Sequence, residues 1–303
     1  MRPRLKPPNL RLPNLKLAKP KLRGLLLLPC FLATPLLAAE PGGTDGPGPI
    51  QLIAQPTLSI GLAGFPRIAS PAASSPAASS PAASSPTATG VLPAGDAHVV
   101  ARINQGLAEA DSRARDAAKS CEADARNAKV DSKDPAWQRS VTVAMRGPAY
   151  LSLVASDAWY CGGAYPDADS FALAYDLRTG APLNWARLLP KTLVGTASLD
   201  TAGDGTRIGV AASPALTKLY LTLLKPDADC ASALREGELQ FMLWPDAARA
   251  GVAMRPSGLA HAIAACGDDA VIPLATLRTL GAEPALLDAI EAGHRDGLFG
   301  MTR

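Results

Sequence analysis

Four aspartates, Asp157, Asp167, Asp169 and Asp176, crowd into one short stretch of this chain, and a histidine, His261, stands in the small apolar run LAHAIAAC. Two carboxylates held roughly 5 to 9.5 Å apart can divide acid and base work on a glycoside. An imidazole beside them would add a group that exchanges protons near neutral pH. Together these residue types would suit a hydrolase of the cell envelope. They also have a plainer use, since aspartates cap turns and a histidine among small apolar residues is packed or hydrogen-bonded. His98 and His294 have no evident partner in the sequence.

The familiar catalytic patterns are missing from the sequence. It contains no Gly-x-Ser-x-Gly elbow, no His-Glu-x-x-His zinc motif and no phosphate-binding glycine loop. Asp204 lies in a polar stretch without the oxygen spacing of a calcium loop and is expected on the surface. No catalytic residue, metal or cofactor is therefore assigned. Rings offer a different chemistry: Trp159, Tyr160, Tyr165 and Trp185, with Trp244 further along, could line a groove for a glycan or a protein loop, or could be core.

Cysteines and charge say where such chemistry would work. Residues 2–23 carry eight basic residues and no acidic one, followed by the apolar run Gly24–Leu37 and the small residues Ala38 and Ala39. That order is a secretory signal, with cleavage expected near Ala39. Pro29 and Pro35 interrupt the apolar run, which falls short of the roughly 20 residues of a spanning helix. No stable transmembrane segment is expected after cleavage. Removing the leader turns 30 basic and 27 acidic residues into 22 against 27, which gives no support for nucleic-acid binding. Four cysteines then remain, an even number suited to an oxidising compartment. Pairing Cys121 with Cys161 and Cys230 with Cys266 is favoured, because each bridge would close a loop of neighbouring elements. Their spacing is too wide for a zinc knuckle.

Residues 40–95 read as a disordered linker, rich in Gly, Pro, Ala and Ser, with PAASS repeated three times after Ser70. The folded domain is expected over 96–303. It should open with a long helix over 97–129, frayed or kinked near Asp111 and Ser112. Ser140–Met145 and Tyr150–Val154 alternate as antiparallel strands, and Phe171, Leu173 and Tyr175 share a face of the next one. Gly162 and Gly163 permit positive φ or a close approach. Asp176–Gly180 forms a turn, Asn184 caps a short helix through Trp185, and Ser213 caps an amphipathic helix from Pro214 to Leu224. Leu239–Trp244 and Val252–Arg255 read as a hairpin, Val271–Ile272 as a short strand, and two helices end the chain. The fold class is α+β, an antiparallel sheet with packed helices and two disulfides.

The runs Tyr150-Leu-Ser-Leu, Tyr160-Cys-Gly-Gly-Ala-Tyr-Pro166 and Phe171-Ala-Leu-Ala-Tyr-Asp-Leu-Arg-Thr-Gly180 resemble the extracytoplasmic domain of unknown function at the C-terminus of the anti-sigma factor RsiV and beside the catalytic domain of some peptidoglycan deacetylases. In that family Ala-His usually follows the glycine pair, whereas this chain has Ala164-Tyr165. Similarity extends over about residues 97–281. It implies an α+β envelope domain with a protein or cell-wall partner, and it does not imply catalysis. The expectation is a periplasmic or secreted bacterial protein with a non-catalytic domain that binds an envelope protein or peptidoglycan-related ligand. An Asp and His261 hydrolase is the first alternative and a purely structural accessory domain the second. Oligomeric state is left open.

Overall fold

The computed structural model describes residues 49–70, 96–131 and 133–301. The expected leader and the PAASS repeat lie outside the described residues. The first long element is helix α1, Ala97–Asn127, capped by Asp96, whose side chain accepts the His98 N–H. Its buried stripe runs Val100, Ile103, Leu107, Ala110, Ala114, Ala118, Cys121 and Ala125, the three-and-four spacing of one helix face. The expected kink at Asp111 does not occur. Asp111 is buried because its carboxylate accepts from the Phe65 backbone and from Arg67.

That contact also moves the start of the folded body. Residues 49–70 pack as a strap with two short strands, β1 (Leu52–Ile53) and β2 (Arg67–Ile68), paired antiparallel. The linker assignment over 40–95 is therefore corrected for this part. Three prolines and two glycines interrupt residues 49–70, but Ile50, Leu52, Leu62, Phe65 and Ile68 are all buried. The strap is stitched to α1 by two hydrogen bonds between Asn104 and the Ile68 backbone. A further strand, β3 (Trp137–Arg146), holds it through Arg139 N–H to Gly61 O and Ala63 N–H to Arg139 O.

After β3 come β4 (Tyr150–Trp159) and β5 (Asp167–Asp176), giving a three-stranded antiparallel sheet in the order β3-β4-β5. Its register pairs Leu151 with Tyr175, Leu153 with Leu173 and Ala155 with Phe171, so these side chains share one face. A Cβ on Gly106 of α1 would stand 3.0 Å from the Tyr175 hydroxyl, which sets that face under the helix.

Two short helices follow, α2 (Trp185–Leu188) and α3 (Lys191–Val194). The expected polar loop at Thr201–Gly205 is the tip of a hairpin between β6 (Thr196–Thr201) and β7 (Arg207–Ala212). Helices α4 (Pro214–Leu224) and α5 (Ala228–Glu236) then lead to β8 (Gln240–Asp246) and β9 (Gly251–Ser257). A 3-10 helix, His261–Cys266, precedes β10 (Ala270–Pro273), and α6 (Leu274–Leu280) and α7 (Pro284–Arg295) complete the order.

The second sheet is antiparallel throughout, in the order β10-β9-β8-β7-β6. Alternation along β8 divides two hydrophobic layers: Phe241 and Leu243 join Leu216, Tyr220, Leu277, Leu286 and Ile290 of the helices. Met242 and Trp244 join the first sheet and α1. The fold is thus α+β, with antiparallel sheets, packed helices and two disulfides, Cys121–Cys161 and Cys230–Cys266. The first ties α1 to the link between β4 and β5. The second ties α5 to the 3-10 helix.

Candidate functional site

Where the two sheets meet, three loop ends face one another across a cleft of about 790 Å³. One wall is the start of β5 with Trp159 before it, another is the β6–β7 tip at Thr201 and Gly203, and the third runs from Arg255 through the 3-10 helix to Asp268. Gly162 makes the bend into β5 possible. Its φ is +88°, and a Cβ there would stand 2.4 Å from the Cβ of Ala128 at the end of α1. Gly163 has open space around it and a φ outside that region, so only the first glycine of the pair is required by the backbone. Cys161, bonded to Cys121, pins the same bend.

The structure joins several of the side chains singled out in the sequence. Asp167 Oδ1 lies 3.3 Å from His261 Nδ1, and Tyr165 stacks on the His261 ring with centroids 6.0 Å apart. Asp169 accepts the Gly203 N–H at 2.8 Å and so fastens the hairpin tip to β5. Trp159 stacks on Trp137 at 4.5 Å with nearly parallel rings, and its outer edge packs on Gly203, where a Cβ would come within 2.7 Å. Tyr160 and Tyr165 are exposed beside this bend. His261 and Asp167 are also open to solvent, at 57% and 45% of their side-chain area. His261 comes from the 3-10 helix, and its ring rests on Tyr165, the residue two after the glycine pair.

Other expected site residues are elsewhere. Trp185 is buried in the helical layer and Trp244 beneath the sheet, so neither belongs to a binding surface. Asp176 makes the turn read from the sequence, accepting the Arg178 N–H at 2.7 Å. Asp157 lies fully buried with Arg139, at 2.5 Å, and Asp204 shares the same guanidinium at 2.6 Å. The expectation that Asp204 sits on the surface is corrected, because the hairpin tip carries it inward to this ion triad. Phe65 and Phe171 flank the guanidinium, at 5.7 and 5.2 Å from their ring centres. Burial opposes the charge on Arg139, but the bonds from Asp157 and Asp204 outweigh it and hold its pKa above the ordinary value. The triad is a buried strut beneath the cleft.

Residues that the sequence did not single out complete the cleft. Ser257 donates to Asp200 at 2.5 Å across the gap between β9 and β6. Arg255 is tied to Asp269 at 2.8 Å. No spacing signal marked them, since each partner is distant in sequence: Asp200 on β6 for Ser257, and Asp269 before β10 for Arg255. Among the described residues, no three His, Cys, Asp or Glu side chains gather as a metal set.

The arrangement can present an acidic, ring-lined surface to a ligand, and its Asp167–His261 contact can hold a proton on Nδ1 and leave Nε2 as an acceptor. The two serines of the cleft have other partners: Ser257 bonds Asp200 and Ser170 bonds Ser156.

No protein-family model matches the chain. No curated protein matches it. A solved DUF3298-family protein of Bacteroides fragilis aligns at 12% identity over 65% of this chain and 76% of its own, with a TM-score of 0.35. A DUF3298 protein of Pseudomonas aeruginosa aligns at 17% identity over 54% of this chain and 70% of its own, with a TM-score of 0.31. The chain is similar to these proteins.

Proposed function

We propose that the chain is an exported bacterial envelope protein, periplasmic or secreted, and that its α+β domain binds a protein or peptidoglycan-related ligand in the cleft around Trp159, Tyr165, Asp167 and His261 without catalysing a reaction on it. The observation that carries this reading is the lining of the cleft, where His261 and Asp167 meet at 3.3 Å and the exposed Tyr165 stacks on the His261 ring. It is a recognition surface, with carboxylates for polar contacts and flat rings that give contact area at low entropic cost. The signal order of the leader and the paired cysteines support the compartment. Among the described residues no helix is long and apolar enough to cross a membrane.

The test is capture. Purified protein lacking residues 1–39 is immobilised and exposed to solubilised wall fragments and to envelope extract, beside a Tyr165→Ala, Asp167→Asn variant. Material retained by the first and released from the second supports the reading; equal retention, or none, removes it.

One observation favours a second reading. Asp167 Oδ1 lies 3.3 Å from His261 Nδ1, so an envelope hydrolase acting through them is the alternative. Release of soluble products from wall polymer, lost in His261→Ala, would establish it in place of the first.

A further inference from the structure

A second cleft, of about 830 Å³, lies between β6, α4 and the link from α5 to β8, and it shares no lining residue with the first. Its size falls within the roughly 300 to 1,000 Å³ of small-molecule sites. Helix α4 supplies one wall. Residues three and four apart share a helix face, so Thr217, Lys218 and Leu221 look into the cleft while Leu216 and Tyr220 turn to the core. β6 supplies a second wall through Thr196 and Ser198, which alternate onto one face of the strand. The third wall runs from Arg235, in the last turn of α5, to Gln240 at the start of β8.

The chemistry of this lining differs from that of the first cleft. Lys218 and Arg235 come from two different helices, and neither side chain makes an ion pair or a hydrogen bond among the described residues. Glu238, the one acid of the lining, pairs with neither. Two unneutralised cations in one concavity give it a positive potential, which gathers anions there more strongly than an open surface would. The hydroxyls of Thr196, Ser198 and Thr217 are likewise unengaged among the described residues. Both serines of the first cleft, by contrast, have partners. Ala212, Pro214, Leu221 and Leu239 complete the lining with apolar surface. Positive charge, free hydroxyls and apolar area in one space select a ligand that can use all three.

We propose that this cleft is a second binding site, for a soluble organic anion of small-molecule size with an apolar tail and a hydrogen-bonding body, the class to which N-acylated amino acids belong. Lys218 and Arg235 take the carboxylate, the hydroxyls of Thr196, Ser198 and Thr217 take the body, and the apolar residues take the tail. A neutral ligand would leave both cations unpaired, so the site discriminates by charge. It works without the first cleft and does not depend on that cleft's ligand.

The test measures binding of N-octanoylglycine to the exported chain by calorimetry, beside the neutral N-octanoylglycinamide and the short N-acetylglycine. Replacing the carboxylate by the amide should weaken binding about tenfold or more, the scale of a lost charge-assisted hydrogen bond. Shortening the tail to acetyl should weaken it about tenfold or more as well. Lys218→Met, Arg235→Gln should bind the acid and the amide equally, and Lys218→Arg should keep the preference for the acid. Circular dichroism confirms that the variants are folded. Tyr165→Ala, Asp167→Asn should leave all three affinities unchanged, which separates this site from the first cleft. Absence of N-octanoylglycine binding overturns the proposal, and so does a preference for the acid that survives loss of both cations. Sedimentation with phosphatidylglycerol vesicles, without affinity for the free anion, would place the ligand in a membrane and overturn it too.

Discussion

Arg139 is the residue on which the interior most depends. Its guanidinium bonds both Asp157 and Asp204 beneath the cleft, and its backbone holds the strap through Gly61 and Ala63. Replacing one member of a buried ion set leaves the others uncompensated, at a cost of about 3–5 kcal/mol. Arg139→Met should therefore lower the unfolding free energy read from urea melts by that amount, with the largest change in near-ultraviolet signals from Trp137 and Trp159. Two tyrosines set an alkaline limit. Burial first, then Glu109, pushes the Tyr175 hydroxyl up to about 12 from its ordinary 10.0. Burial first, then Asp268, raises Tyr220, whose O–H donates to the Asp268 carbonyl. Unfolding exposes both to deprotonation near the ordinary value while the folded state still holds their protons. Stability is thus unchanged below that value and falls as pH rises from about 10 toward 12. Urea melts at stepped alkaline pH check the slope. Single residues were unevenly readable in the sequence: the Asp176 turn follows from local chemistry, but Asp157 and Asp204 meet Arg139 only through long-range folding.

At the scale of elements, short-range periodicity marked α1, β3, β4, β5, α4 and β8 because each has one apolar face and a local turn or cap. The strap and the β6–β7 hairpin were missed for a shared reason. The strap has apolar residues spread among Gly and Pro, and β6 is an edge strand with mostly exposed side chains, so neither has the alternation that identifies a half-buried strand. Their positions come from partners far along the chain, such as Asn104 with Ile68 and Asp169 with Gly203. Asp111→Ala tests how far the strap is integral. It removes acceptors from the Phe65 N–H and Arg67 together, and the expected loss is about 2–4 kcal/mol. Limited proteolysis should show new cleavage within 49–70 before the rest of the protein is cut.

For the molecule as a whole, the disulfides and the cleft belong to one design. Cys121–Cys161 spans 40 residues and Cys230–Cys266 spans 36, and the two bridges fix the bend before β5 and the 3-10 helix that face each other across the site. Closing a loop of that size stabilises the folded state by about 4 kcal/mol in the chain-entropy model. Each Cys-to-Ser pair should lose stability of that order, and intact mass before and after reduction, with peptide mapping, checks both bonds. The cleft was half readable in advance: Trp159, Tyr165, Asp167, Asp169 and His261 were all noticed, but only the folded chain shows that Trp159, Asp167, Asp169 and His261 line one space, that Tyr165 stacks on His261 beside it, and that Trp185 lies elsewhere. The most direct test of the central claim compares retention of wall fragments and envelope proteins by the exported chain and by its Tyr165→Ala, Asp167→Asn variant. Retention that the double substitution abolishes, with no soluble product released, is the predicted result; equal retention by both, or turnover that depends on His261, would contradict it.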